Sequence, residues 1–438
     1  MKINMPENVQ TILNKLHSNG YQAYIYGACI RDYLLGKEPI SWDITTNALP
    51  NDTIVVFDEN EGFTAIPSVE DYGIVAIHFK GESYQVNAFR TGEERRFADD
   101  INEDLLHKDF TMNSIAYNEQ AGVVDPYNGV GDIEKRLIRC AQNPYKQIQE
   151  DSARILRAVR FESQLGFKIE AELLQAMKDL KDSVPASGSA RVRNEFIQIL
   201  LSELPSQGIR RLLELGLLER LIPELMPAIG FDTCSSYHDK DVFEHSLVVL
   251  DNTEPNLTLR LAALLHDIDK PNCLTIDEDG EGHCYGHASG GGEMARTILG
   301  RLSFDRKTIK AVSALIKEHM NDYENISELS IKRLIRRVGP DNIDRLFELQ
   351  LADIKGSALS SRDPERITKI RNKCFEVLSR REPLTVHDLD ISGYDLLSLG
   401  YPPGKEIGEV MDYLLDQVID NPSLNQRDTL IALLKNRQ

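Results

Sequence analysis

The spacing of apolar residues along the chain changes character near residue 145. Before that point, residues 7–18 show the three- and four-residue recurrence of an amphipathic helix. YQAYIYG then reads as a strand, CIRDYLLG as a short helix, and WDITT, rich in β-branched residues, as a further strand. The runs GIVAIHF and SYQVNAF flank Gly81-Glu82 and predict a hairpin. After about residue 145, helix follows helix. The small-residue stretch SVPASGSA (183–190) and the turn-rich PELMPAIGFDT (223–233) separate helical blocks. The pattern predicts an α/β head, a mixed sheet with helices, followed by an all-α body, with no internal repeat.

Composition adds modest constraints. A chain of 438 residues exceeds one core and implies three or four modules. Its six cysteines form no CxxC pair and are expected to be reduced. The first ten residues lack an apolar signal region and no stretch approaches a membrane span, so cytoplasmic placement is expected and a membrane partner is not. With 50 basic and 69 acidic residues, the net charge of −19 disfavours duplex DNA as a partner. Two basic strips, IKRLIRRVG (331–339) and RITKIRNK (366–373), read as solvated helix faces, with a local basic groove as the alternative.

Histidine placement is more telling. Six of the ten histidines, at 238, 245, 266, 283, 287 and 319, fall within one short region. His266-Asp267 ends the apolar run LRLAALLHDIDK, His245 lies in FEHSLVVL, His319 ends LIKEHM and Asp353 sits in LQLADIKG; His283 and His287 lie in a Gly-rich loop. An apolar helix that ends in His-Asp aims polar groups at its own core, which is costly unless they are ligated or hydrogen-bonded. Imidazole with carboxylate suits Mn, Fe, Ni, Co, Zn or Mg rather than Ca.

Residues 238–356 resemble an HD-domain phosphohydrolase. The resemblance implies that His245, His266, Asp267 and Asp353 are core metal ligands and that His287 and His319 are the extra ligands of two-metal members. It also makes Asp267 a catalytic group and turns Lys270 toward substrate phosphate. Asp269 stands where that family often has Gly, and is expected to alter the local turn but not the ligation.

The chain from end to end resembles the family of tRNA nucleotidyltransferases (CCA-adding enzymes) and bacterial poly(A) polymerases. The motifs are YGACIRDYLLGKEPISWDITTNALP (26–50), KDFTMNSIAYN (108–118), VDPYNGVGDIEKRLIRC (124–140), EDSARILRAVRFESQLGF (150–167), LLELGLLERLIPEL (212–225) and LDISGYDLLSLGYPPGKEIGEVMDYLLDQVID (389–420). The resemblance implies a nucleotidyltransferase-like head (1–140), a base-reading and RNA-binding neck (141–229), an HD metal domain (230–360) and a helical tail (361–438). It implies a tRNA or RNA 3′ end and CTP or ATP as partners. Arg31, Lys108, Asp151, Arg154, Arg157 and Arg160 become nucleotide-binding residues, the last four on one helical face. Lys405, in GYPPGKEIG, is a candidate phosphate contact.

The head departs from the family pattern. Asp43 is kept as a catalytic carboxylate, but Ser41 and Gln85 replace the other two, Ala28 replaces a Gly, Lys108 replaces an Arg, and the loop 91–104 is short. Neutral side chains offset dipositive charge poorly, so Mg is not expected to be held well there. The departures lead to the expectation that nucleotidyl transfer is disabled and that metal-dependent hydrolysis of a phosphate ester, cyclic nucleotide or RNA terminus is the main activity. The alternatives are a working CCA-adding enzyme and a non-catalytic RNA- or nucleotide-binding protein.

Overall fold

The computed structural model describes residues 2–57, 62–68, 73–91, 96–185, 189–235, 240–321, 326–357 and 363–435. His238, part of the loop 91–104 and part of SVPASGSA lie outside these. The chain divides into two compact units, 1–184 and 185–438.

The first unit contains the predicted α/β head and continues to residue 184, into the segment expected to be the neck. Its strands are β1 (Ala23–Tyr26), β2 (Ile44–Thr46), β3 (Phe63–Pro67), β4 (Ile74–Phe79), β5 (Glu82–Ala88), β6 (Ala116–Asn118) and β7 (Gly122–Val124). Across the sheet they run β3-β4-β5-β2-β1-β6-β7. The predicted first helix spans Glu7–Ser18 and buries Val9, Ile12, Leu13 and Leu16, the apolar face that its periodicity marks out. The hairpin turn falls one residue earlier than expected, at Lys80-Gly81, with Phe79 paired to Glu82. Both turn residues have positive φ, 50° and 83°. That left-handed pair matches the twist of the flanking strands, and Gly accepts it without strain. Among the described strands of this sheet, β2 and β5 form the parallel pair, with Ile44 opposite Val86. Asp43 and Gln85, each one residue before that pair, are thereby brought to neighbouring positions.

The second unit is helical. Helix Leu257–Leu265 lies at its centre, with Leu259, Leu261, Ala262, Ala263, Leu264 and Leu265 fully buried. Each buried leucine contributes about 1.5–3 kcal/mol relative to an exposed one. Arg260 is the exception on this helix. Its buried guanidinium donates to the carbonyls of Leu200, Ser202 and Thr253, satisfying acceptors where helix Ala190–Leu200 ends. Arg260→Ala strands these carbonyls and is expected to lower unfolding free energy by about 2–4 kcal/mol. Urea unfolding checks this, and a loss under about 0.5 kcal/mol would count against the role.

Helices Val242–Asp251, His287–Arg301, Arg306–Glu318 and Ile343–Gly356 belong to the same unit. In His287–Arg301, Gly290 permits close approach, since a Cβ there would lie 1.8 Å from Asp269 Oδ2. Asp269 takes a right-handed conformation, φ −91° and ψ −5°, which needs no Gly; Gly290 makes room for its carboxylate.

Candidate nucleotide site and candidate metal centre

In the head, Gly27 adopts φ 74°, ψ −125° before helix Ala28–Leu34, a backbone state that suits Gly. Asp43 precedes β2 and is half-buried; burial pushes its carboxyl pKa up, and the charge of Lys108 opposes that rise. Ser41 and Gln85 are exposed beside it. Lys108 Nζ lies 3.1 Å from Asp104 and 4.1 Å from the centroid of the Tyr26 ring. Burial works against the Lys108 charge, but Tyr26 and Asp104 more than restore it, and its pKa is raised.

Of the other expected nucleotide ligands, Arg154, Arg157 and Arg160 lie on one helix, Ala153–Leu165, as predicted. Arg31 is buried and engaged within the fold, with Nε and Nη2 donating to Asp32 Oδ1 and Nη1 donating to Asn113 Oδ1. Asp151 is not on the helical face predicted for it. It sits in extended backbone, φ −147°, between helices Pro144–Glu150 and Ala153–Leu165. Its Oδ1 accepts from Ala153 N–H, so the short polar side chain serves the start of the next helix. Arg154 donates to the carbonyls of Gln147 and His107, while its Nε is buried without a hydrogen-bond partner. Arg157 lies 3.6 Å from Asp109 and 3.8 Å from Asp151, and Arg160 stacks over Phe161 at 4.5 Å. In the second unit, Lys405 begins helix Lys405–Asp420 and pairs with Glu409 at 3.0 Å.

Sequence reasoning missed Asp104 and Tyr26 in the head. The only local signal for Asp104 is its four-residue spacing from Lys108 on a helical pattern.

The histidine region converges as predicted. Donor atoms of His245, His266 and Asp267, of His266, His319 and Asp353, and of Asp267, His287 and His319 form three groups, the atoms of each within 4.8 Å of one another. All six residues are buried. The backbone aims the rings. Nδ1 of His266, His287, His319 and His245 lies 2.9, 2.6, 2.6 and 3.3 Å from the carbonyls of Ala263, Cys284, Ile316 and Gly356. Each Nδ1–H thereby donates outward and Nε2 is directed to the centre, the orientation that surroundings impose on ligating histidines. His266 Nε2, His287 Nε2 and Asp267 Oδ1 are buried without hydrogen bonds.

Burial pushes His319 down to about 4. Burial also opposes charge on His266, yet Asp267 outweighs it and the pKa rises. Asp267 is driven upward by burial but pulled well below the usual range by His266 and Lys270. Lys270, expected to face substrate, instead places Nζ 2.7 Å from Asp267 Oδ2. His283 stays outside the cluster, on strand Gly282–Cys284, where it pairs with Asp277 at 2.9 Å. His287 is not in a loop but starts a helix; glycines that resembled a loop allow that helix its close approach.

The "Poly A polymerase head domain" matches residues 23–139, the "Probable RNA and SrmB-binding site of polymerase A" matches 166–229, and tRNA nucleotidyltransferase domain 2 matches 287–434. The CCA-adding enzyme of Lactobacillus johnsonii is 33% identical over 438 residues, 96% of this chain and 97% of that one. That of Lactobacillus delbrueckii subsp. bulgaricus is 32% identical, over 97% of this chain and 96% of that one. The alignment to the CCA-adding enzyme of Oceanobacillus iheyensis, 35% identical, spans 48% of this chain and 54% of that one. Among solved structures, the Bacillus stearothermophilus CCA-adding enzyme in complex with CTP shares the fold, with a TM-score of 0.67, 24% identity and coverage of 99% of this chain and 98% of that one.

These relatives overturn the expectation that the chain is mainly an HD-type phosphohydrolase. The proteins it matches end to end are CCA-adding enzymes. The expectation gave two missing carboxylates more weight than an ordered set of motifs spanning the whole chain. The chain belongs to the family of tRNA nucleotidyltransferases and bacterial poly(A) polymerases.

Proposed function

We propose that this protein is a CCA-adding tRNA nucleotidyltransferase, joining CMP and AMP from CTP and ATP to the 3′ end of tRNA. The observation that carries the reading is the match to CCA-adding enzymes over nearly the full length of both chains. The segments 1–140, 141–229, 230–360 and 361–438 act as head, neck, metal-holding domain and tail.

In the reaction, the tRNA 3′ hydroxyl attacks the α-phosphorus, the bond to the β-phosphate oxygen breaks and pyrophosphate leaves. Asp43 lies at the head of β2, next in register to Gln85 on β5. With Ser41, these offer an all-oxygen donor set holding one negative charge, which suits one hard cation and is short of charge for two. A divalent ion bound there would activate the hydroxyl and offset phosphate charge. Lys108 supplies a fixed cation beside Asp43. Asp151, Arg154 and Arg157, close together on one segment, are the groups that would meet the incoming base. Arg31, Asn113 and Asp32 brace the start of the phosphate-facing helix.

The buried His245, His266, Asp267, His287, His319 and Asp353 cluster fits one or two divalent transition metals, since its unsatisfied donors are imidazole nitrogen and carboxylate oxygen. This site braces the helices that meet there. Among the described residues, no helix is long and apolar enough to cross a membrane.

The test is extension of tRNA lacking its CCA end by purified protein with CTP, ATP and Mg. Addition of C, C and A is expected, and Asp43→Asn is expected to slow it at least ~10³-fold, roughly 4 kcal/mol in the barrier. A wild-type protein that leaves the tRNA unextended overturns the reading.

A further inference from the structure

Asp104 is 1% exposed, on helix Ile101–Leu106. A carboxylate so deeply buried costs several kcal/mol unless it is paired and hydrogen-bonded. Asp104 has three such partners. Thr45 Oγ1 donates at 3.0 Å from β2, two residues after Asp43. The backbone N–H of Arg90, two residues past the end of β5, donates at 3.0 Å. Lys108 Nζ donates at 3.1 Å from one helical turn onward. One carboxylate thus ties the two strands that carry Asp43 and Gln85 to the cation that acts on Asp43.

The far side of Lys108 is held as well. Its ammonium sits over the face of Tyr26, whose own N–H donates to the Asp43 carbonyl at 3.1 Å. Burial pushes the Tyr26 phenol pKa up, so the ring stays neutral and its face stays available to the cation. A lysine carries about 2 kcal/mol of rotamer entropy, and a free one would have to be ordered each time a triphosphate bound. Clamping it between Asp104 and Tyr26 removes that step before binding. The clamp matters more in a head with a single carboxylate for metal, because a fixed protein cation then carries more of the phosphate charge.

We propose that Asp104 is a positioning residue for nucleotide transfer: it holds Lys108 where the triphosphate of CTP or ATP must lie. The proposal rests on the transferase reading above. Asp104→Asn keeps an oxygen for the Arg90 N–H and turns its amide NH2 toward Thr45 Oγ1, which can accept from it, but removes the charge that fixes Lys108.

A double-mutant cycle tests it, with Asp104→Asn, Lys108→Met and the pair measured for tRNA extension and, separately, for CTP binding by calorimetry. Asp104→Asn is expected to raise KM for CTP and ATP about tenfold while kcat moves less than threefold, with an unfolding midpoint near that of wild type. Lys108→Met is expected to raise KM at least as much, and the pair to be no worse than Lys108→Met within about threefold, because both changes remove one interaction. Multiplying losses, or an Asp104→Asn variant with unchanged KM and CTP affinity, would overturn the proposal. If the wild-type protein fails to extend tRNA, the transferase reading falls; the CTP-binding cycle then decides the Asp104–Lys108 coupling on its own.

Discussion

Replacing Ser41 with Asp and Gln85 with Glu together is expected to speed CMP addition to tRNA by at least ~10²-fold. The expectation follows from where the two residues sit. In the parallel pairing of β2 with β5, Ile44 faces Val86, so Asp43 and Gln85 occupy adjacent leading positions. Ser41 lies two residues before Asp43 and is exposed, as is Gln85. Three carboxylates there would carry charge for two dipositive ions, where Asp43 alone suits one. If each missing charge withholds roughly 2–3 kcal/mol from the transition state, the pair withholds ~10³–10⁴ in rate. Single-turnover extension of tRNA lacking its 3′ end measures the gain, and adding Ala28→Gly to the pair tests whether the methyl at the phosphate-facing turn matters. A double variant no faster than wild type would mean that Lys108 and the neutral ligands already do the work of the lost carboxylates.

How much of this was legible in the sequence depended on the range of the interaction. The α/β head, the β4–β5 hairpin and the change to helices after about residue 145 rest on local periodicity, and they stand in the structure. The hairpin turn was misplaced by one residue because Gly81 was read as its first residue, whereas Lys80 also takes a positive φ. The six cluster residues were readable from their surroundings: His266-Asp267 and His319 follow apolar helical runs, His245 and Asp353 sit within helical runs, and His287 stands in a Gly-rich stretch near them. What aims them is mixed in range: the carbonyls that hold His266, His287 and His319 are each three residues back in the chain, whereas Gly356 O for His245 is 111 residues away and is positioned only by the fold. Asp104 was missed because most of what buries it is distant: Thr45 and Arg90 are 59 and 14 residues away, and the one near partner, Lys108, gives only a four-residue spacing. Arg154 kept its family spacing, yet its bonds to Gln147 and His107 arise from the break between two helices at Asp151, which the spacing does not reveal. The functional error was of another kind, one of weighting. Two neutral side chains in place of carboxylates, Ser41 and Gln85, with the changes at Ala28 and Lys108 and the short loop, were set against motifs running from residue 26 to 420, and the motifs were the stronger witness.

His266→Ala combined with Asp267→Ala is expected to strip divalent metal from the protein and to lower the stability of the helical unit by about 4 kcal/mol. His266 and Asp267 enter all three ligand groups between them, so no group survives the pair of changes. The wild-type site holds buried imidazole nitrogens and a carboxylate oxygen without hydrogen bonds, which is unfavourable in a core. An ion that binds the folded state alone removes that penalty, and at a thousand times its Kd it adds about 4 kcal/mol of stability. The rings are 5.1–5.3 Å apart, centroid to centroid, between His245 and His266, His266 and His319, and His287 and His319. Imidazolium charges at that spacing repel, and burial already pushes His319 down to about 4. Neutral imidazoles are the form that ligates metal. Elemental analysis of protein purified without chelator should give between one and two ions per chain, and none for the double variant. Denaturant unfolding of wild type with and without a strong chelator should reproduce most of the difference, which separates loss of the ion from loss of packing, since the chelator leaves every side chain in place. Metal-free wild-type protein, or a chelator that leaves the unfolding curve unmoved, would show that the six residues form a polar core network with no ion.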